Sequence, residues 1–254
     1  MWARDRHHSI LALLSARGQV SNDLLMQELQ VSRETIRRDI LELEASGQLK
    51  RVHGGVIAAE VPPEPPFRIR MRSSAAEKQR IGVAAAKLIK PGMMCAIDTG
   101  TTTLAFAAAL AGVPDISVVT NSLDVATTIR GAQPNAEIIL LGGQMDTDVP
   151  GTFGEQAISS MQQFVPDVAI LSPVAISSER GATSYALAEA ELGRAMIDRA
   201  TRVILLADHA KIGAMSRVRL CGCDEVDVLV TDRDAPAEEL AALQTKGVGE
   251  VVLA

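Results

Sequence analysis

Aromatic side chains are scarce in this 254-residue chain: one Trp, one Tyr and four Phe make up 2% of it. Any core must therefore be filled by aliphatic residues and alanine. Cysteine is equally sparse. Cys95, Cys221 and Cys223 are an odd set in a chain that opens on Arg4-Asp5-Arg6 rather than on an apolar leader, so reduced thiols are expected. Cys221-Gly222-Cys223 has no second Cys or His pair at ligand spacing, so no metal and no other cofactor is expected. No run of 18 or more uncharged apolar residues is present. A membrane-spanning helix is thereby excluded, and the expected location is cytoplasmic.

Net positive charge is also missing, the formal value being −6. That total hides a division. Residues 1–72 hold 11 Lys/Arg against 9 Asp/Glu, which leaves 14 against 22 for residues 73–254. A mildly basic head on an acidic body is the distribution of a protein whose head alone touches nucleic acid. With 47% hydrophobic and 22% charged residues the chain is globular. Its length suits one large or two modest domains. Pro62, Pro63, Pro65 and Pro66 mark the joint, since such a run can continue neither a helix nor a central strand. The expected boundaries are 1–58 for the head, 59–74 for a proline-rich linker and 75–254 for the body. Phe67 to Arg72 alternates apolar with basic residues; it fits the linker, packing on the body, or extra phosphate contacts.

Within the head, Val31 to Leu43 carries the strongest signal. Ser32 is a good N-cap, Glu34 suits the first turn, and Ile36, Ile40 and Leu43 recur at helical spacing as a buried stripe. Arg33 and Arg37 flank the stripe, and Arg38 lies nearly opposite. Arginine can fork onto the acceptor edge of guanine or neutralise a phosphate. Upstream, Ser9 to Leu14 supplies a first core helix, Gln19-Val20-Ser21 a turn with a cap, and Leu25, Met26 and Leu29 a short second helix. Helix, turn and arginine-faced helix form a helix-turn-helix. Ser46-Gly47 stops the third helix. Leu49 to Val56 then alternates as a strand turning on Gly54-Gly55, a wing that places Lys50, Arg51 and His53 near a phosphate backbone. The expected DNA-binding residues are Ser32, Arg33, Thr35, Arg37, Arg38, Lys50, Arg51 and His53, and the expected partner is a double-stranded operator.

In the body, short aliphatic runs alternate with helical segments: 94–97, 116–119, 137–141, 168–171, 203–206, 226–230 and 251–253. Continuous apolar strands between helices predict a mostly parallel α/β sheet covered on both faces, with ligands at the carboxyl ends of the strands. Asp98-Thr99-Gly100-Thr101-Thr102-Thr103 follows the first strand and leads into a helix; glycine, hydroxyls and a helix N-terminus together make a phosphate cradle, although threonine-rich helix entries also serve as plain caps. The other strand ends supply Asn121, Gly142, Gly143 and Lys211, the last able to neutralise a phosphate. The expected effector-binding residues are Asp98, Gly100, Thr101, Thr102, Thr103, Asn121, Gly142, Gly143 and Lys211.

Residues 6–57 resemble the DNA-binding domain of the DeoR/GlpR family of bacterial transcriptional regulators. The resemblance rests on Arg6, Ile10, Leu14, Val31-Ser32, Thr35-Ile36-Arg37-Arg38-Asp39, Leu43, Gly47 and Arg51-Val52-His53-Gly54-Gly55. It extends through Glu77-Lys78, Asp98 to Thr103, Thr120-Asn121-Ser122, Leu141-Gly142-Gly143, Gly154, Gly181, Glu189-Ala190, Arg194-Ala195-Met196 and Asp208 to Gly213. The resemblance implies a winged helix-turn-helix head, a sensor domain of sugar-phosphate-isomerase type, and a repressor of a carbohydrate operon governed by a sugar phosphate or related anion. It adds Glu189 to the expected effector-binding residues, and implies a homodimer or homotetramer and no catalytic residue. Two positions depart from the family pattern: Val174 stands where an acidic residue is usual, and Gly193 where a lysine is usual. Both departures are expected to alter which effector fits. An enzyme of isomerase type, with Asp98 and Glu189 as acid and base, is the competing reading; activation and repression share every residue named.

Overall fold

In a computed structural model of the chain, residues 3–17, 19–45, 48–52, 54–58, 64–110, 112–145 and 148–254 are described, and the chain divides into two units, Met1–Pro63 and Glu64–Ala254. The first unit runs α1 (Ala3–Arg17), β1 (Gln19–Ser21), α2 (Asn22–Leu29), α3 (Arg33–Ala45), β2 (Leu49–Val52) and β3 (Gly55–Ala58). Ile36, Ile40 and Leu43, the stripe of α3, are buried with Ile10 and Leu14 of α1, Leu25 and Leu29 of α2, and Val20, Leu49 and Val56 of the strands.

Two parts of the head differ from expectation. The first helix is longer than Ser9–Leu14, and Gln19-Val20-Ser21 is a strand, not a turn. Val20 pairs with Val56 across an antiparallel ladder, giving a three-stranded sheet in the order β1-β3-β2. Gly55 makes the approach possible, because a Cβ there would lie 2.4 Å from the Val20 carbonyl oxygen. Ser21 keeps its capping role, its Oγ accepting from Leu24 N at 3.2 Å. Ser46-Gly47, His53 and residues 59–63 lie outside the described residues.

The second unit opens with α4 (Phe67–Arg72) and α5 (Ala75–Ala86), then β4 (Met94–Ile97), α6 (Thr101–Leu110), β5 (Ser117–Thr120), α7 (Leu123–Ala132) and β6 (Glu137–Leu140). It continues with α8 (Glu155–Met161), β7 (Val168–Leu171), β8 (Ala175–Ser177), β9 (Gly181–Ser184), α9 (Leu187–Arg199), β10 (Arg202–Leu206), β11 (Val218–Cys221), β12 (Val228–Thr231), α10 (Ala237–Thr245) and β13 (Glu250–Leu253). The segment read as linker is thus partly structured: Phe67 and Arg70 stand three apart on a helix, and Phe67 is buried in the body's core. The body begins at Glu64 rather than at 75.

The main sheet has seven strands in the order β13-β12-β10-β7-β4-β5-β6, every pair parallel. Its continuous apolar runs follow from burial on both faces. Cys95 and Ile97 of β4 join one cluster with Ile81, Phe106 and Val125, while Ala96 between them joins the other with Ala157, Leu192 and Met196. The order also locates the crevice. β4, β5 and β6 run one way; β7 returns to the opposite flank of β4, and β10, β12 and β13 continue from there. The chain therefore reverses direction between β4 and β7, the place where a doubly wound sheet leaves space beyond its carboxyl ends. A second, antiparallel sheet, β11-β9-β8, was not expected from sequence.

Candidate functional site

In the head, Ser32 begins α3 as expected: its Oγ accepts from Thr35 N at 3.3 Å and meets Thr35 Oγ1 at 2.9 Å. With Ile36, Ile40 and Leu43 facing inward, Arg33, Arg37 and Arg38 are exposed. None of the three makes an ion pair with a described residue. Arg33 and Arg37, together with Arg51 from β2, line one groove between α3 and the β2–β3 hairpin. Arg51 is steadied by Glu44, whose Oε2 accepts from Arg51 Nε at 2.5 Å. Lys50 is exposed on the same strand, and Arg38 and Thr35 lie outside the groove's lining.

Sequence reasoning missed the group that fixes the angle of α3. Asp39 is 1% exposed and takes both Arg6 Nε at 2.7 Å and a second Arg6 nitrogen at 2.8 Å, with His7 Nε2 at 3.2 Å. Burial would raise this carboxyl, but the hydrogen bonds and charge of Arg6, with His7, hold it below the ordinary carboxylate value. The buried fork ties α1 to α3 and keeps the arginine face turned outward.

In the body, the crevice between β4 and β7 is lined by Asp98, Gly100 and Thr101 after β4, Ser172 and Val174 after β7, and Lys211 after β10. Glu189, in the first turn of α9, adds a third carboxyl beside Asp98 and Glu64. Arg70 of α4 adds a second cation. Burial drives the titrations here. Burial and then the Glu189 charge push Asp98 up to about 7; burial and then Glu64 push Glu189 up to about 7. Burial pulls Lys211 down to about 8 against the attraction of Asp208. Lys211 Nζ donates to Ser172 Oγ at 2.9 Å and to the Pro173 carbonyl at 2.7 Å.

Five of the expected effector-binding residues, Asp98, Gly100, Thr101, Glu189 and Lys211, line this crevice. Thr102, Thr103, Asn121, Gly142 and Gly143 do not. Thr103 Oγ1 donates to the Gly100 carbonyl at 3.0 Å, and Asn121 Oδ1 accepts from Thr99 N at 3.0 Å, so both shape the loop from behind. A Cβ on Gly143 would lie 2.4 Å from the Phe153 carbonyl oxygen, so this glycine serves a close backbone contact. Gly142 is exposed. The hydroxyls of Thr99 and Thr102 are buried without a partner among the described residues. Val174 lines the crevice as the departure from the family pattern implied. Gly193 does not: its Cβ position meets Leu220 and Leu171 side chains, at 2.7 and 3.1 Å, so that departure alters packing of α9 and not the crevice.

Glu64, Arg70 and Ser184 were not foreseen. Only the three-residue spacing of Phe67 and Arg70 pointed to a helix, and the apolar–basic alternation obscured it. Among the described residues, His209, Asp232 and Asp234 bring ligand-type atoms within 4.8 Å of one another. Asp232 is already committed there, accepting from the backbone N–H groups of His209 at 2.8 Å and Asp234 at 3.1 Å. Among the described residues no helix is long and apolar enough to cross a membrane.

Comparison with known proteins agrees with this division. Residues 6–61 match the family model of the DeoR-like helix-turn-helix domain, and residues 73–233 that of the DeoR C terminal sensor domain. The chain is 33% identical over 238 residues to the glycerol-3-phosphate regulon repressor of Escherichia coli (strain K12), covering 94% of each chain. It is 34% identical over 234 residues to the HTH-type transcriptional repressor GlcR of Bacillus subtilis (strain 168), covering 92% of this chain and 90% of that one. Among solved structures, ribose 5-phosphate isomerase from Plasmodium falciparum aligns with a TM-score of 0.39 at 11% identity, over 53% of this chain and 51% of that one.

Proposed function

The chain belongs to the DeoR family of transcriptional regulators, and from that premise we propose how its two units divide the work. It is a DNA-binding repressor of a carbohydrate-related operon and not an enzyme; both relatives are named as repressors, one of them of the glycerol-3-phosphate regulon. The observation that carries the DNA-reading assignment is the placement of Arg33, Arg37 and Arg51 around one groove. Three cations there, with α3 locked by Asp39 and its apolar stripe, fit a helix entering the major groove while the hairpin lies along the backbone. Arg38, Thr35 and Lys50 extend the same face. Two heads are needed to span paired half-sites, so the working form is a homodimer or homotetramer, acting in the cytoplasm where its operator is.

The crevice between β4 and β7 is the effector site, and its cations Lys211 and Arg70 fit an anionic metabolite such as a sugar phosphate. The relative named for the glycerol-3-phosphate regulon makes that compound the first to test. The effector shifts the repressor only to the extent that it binds one arrangement better than the other. The test is a mobility-shift titration on DNA flanking the gene itself, at fixed salt, with wild type and Arg37→Ala. Loss of roughly 10-fold or more in affinity, about 1–3 kcal/mol for a base contact, is expected. Unchanged affinity would remove α3 as the reading element.

A further inference from the structure

The crevice of the body is not an open cup. Its free space is about 20 Å³, which holds a water molecule and no sugar phosphate. The side chains that fill it come from the start of the unit: Arg70 donates to Glu64 Oε1 at 2.6 Å and, through Nε, to the Pro65 carbonyl at 2.9 Å. Glu64 and Arg70 are both largely covered, their side chains 13% and 16% exposed.

These two residues are held very differently. Arg70 stands on a helix fastened at both ends. Phe67 is sunk in the core, and its N–H reaches Asp148 Oδ2 at 2.5 Å. The buried Lys78 donates from Nζ to the Arg70 carbonyl at 2.5 Å and the Ser73 carbonyl at 2.7 Å. Glu64 precedes that helix, outside any helix or strand, and its carboxylate meets one described cation at ion-pair distance, Arg70. The other two acids of the crevice are held by regular elements: Asp98 directly follows β4 and Glu189 lies in the first turn of α9.

An anion entering this crevice must compete for its cations, and Glu64 is the carboxylate that already occupies Arg70 while standing outside any helix or strand. Resting on the reading of this crevice as the effector site, we propose that Arg70 is an effector-binding residue, and that Glu64 is an internal stand-in for the anionic group of the effector. The incoming phosphate takes the Arg70 guanidinium and expels Glu64 and Pro65, the point where the chain from the DNA-binding unit enters the body. Ligand recognition is then coupled to the head through covalent connection at residue 64. Burial already raises the Glu64 carboxyl, with Arg70 and Lys211 opposing, so the paired acid is under desolvation cost and competes weakly against a better anion.

Calorimetric titration of the full chain with inorganic phosphate and with glycerol 3-phosphate tests this, using wild type, Glu64→Gln, Arg70→Gln, the double variant and Lys211→Met. Glu64→Gln is expected to bind at least 10-fold tighter than wild type and Arg70→Gln at least 10-fold weaker. In the double variant the gain from Glu64→Gln is expected to vanish, because the competition is for Arg70. Arg70→Lys, which keeps a cation on α4, stands in if Arg70→Gln fails to melt as a folded protein. If Glu64→Gln binds no better than wild type, or Arg70 variants bind as wild type does, while Lys211→Met abolishes binding, the stand-in role is overturned and the effector site stands. If neither probe gives heat with wild type, or Lys211→Met binds unchanged, the effector-site reading falls, and this inference with it.

Discussion

Asp39 lies among the arginines of α3, yet it is almost wholly buried and bound by Arg6 and His7. Removing one member of a buried pair leaves the other uncompensated. Asp39→Ala is therefore expected to destabilise the head, seen as a thermal transition shifted to lower temperature by circular dichroism. Because the carboxyl is held below its ordinary value, this stabilisation is present above that value and disappears as pH falls through the lower folded one. Asp98 runs the other way. Raised to about 7 by burial and Glu189, it imposes no penalty below its ordinary value of 3.8 and a growing one as pH rises toward 7. Asp98→Asn keeps an oxygen to accept from Thr99 N. It should raise the urea midpoint at pH 8 and have little effect at pH 4; equal gains at both would contradict the assignment. The exposure of Arg33 and Arg37 was legible in the sequence because helical register alone sets it. The partners of Asp39 were not, since Arg6 and His7 are more than 30 residues away and only the packing of α1 on α3 brings them in.

Among the elements, the parallel sheet was readable because a strand buried on both faces must be apolar at every position, and all seven main strands were located within two residues. The antiparallel sheet β11-β9-β8 escaped because its strands lack a continuous apolar run: β8 is Ala175-Ile176-Ser177, β9 carries Gly181, Thr183 and Ser184, and β11 carries Arg219. Length hid β1 and α4, each too short to show a period. Packing between elements gives a sharper test at Gly82. A Cβ there would sit 2.7 Å from the backbone of Ala105 and Phe106, so α5 and α6 touch through this glycine. Gly82→Ala is expected to cost about 1–3 kcal/mol by overpacking, lowering the melting temperature of the body by a few degrees. A melting curve identical to wild type would show that the two helices part freely.

The net negative charge of the whole molecule sits in one unit, Glu64–Ala254, which holds 17 Lys/Arg against 23 Asp/Glu. An acidic body cannot aid binding to DNA, so affinity must come from the few cations of the head, and it should fall steeply with salt. Arg38→Ala or Lys50→Ala is expected to weaken binding about evenly across DNA sequences and reduce the salt slope by about 1, whereas Arg37→Ala is expected to relax preference at particular bases. The two-unit plan and the strand-end crevice could be argued from residues alone; a basic head could not, since Arg68, Arg70 and Arg72 belong to the body and the unit ending at Pro63 holds 8 Lys/Arg against 8 Asp/Glu. The contents of the crevice could not, because Glu64 and Arg70 belong to a stretch whose prolines and alternating charges look like a spacer. The most direct measurement is fluorescence anisotropy of the full chain on its operator, titrated with glycerol 3-phosphate and a panel of sugar phosphates, for wild type and Lys211→Met. At least one ligand is expected to release wild type from DNA while leaving Lys211→Met bound. Release of both proteins alike, or of neither by any ligand, would contradict control of the head from this crevice.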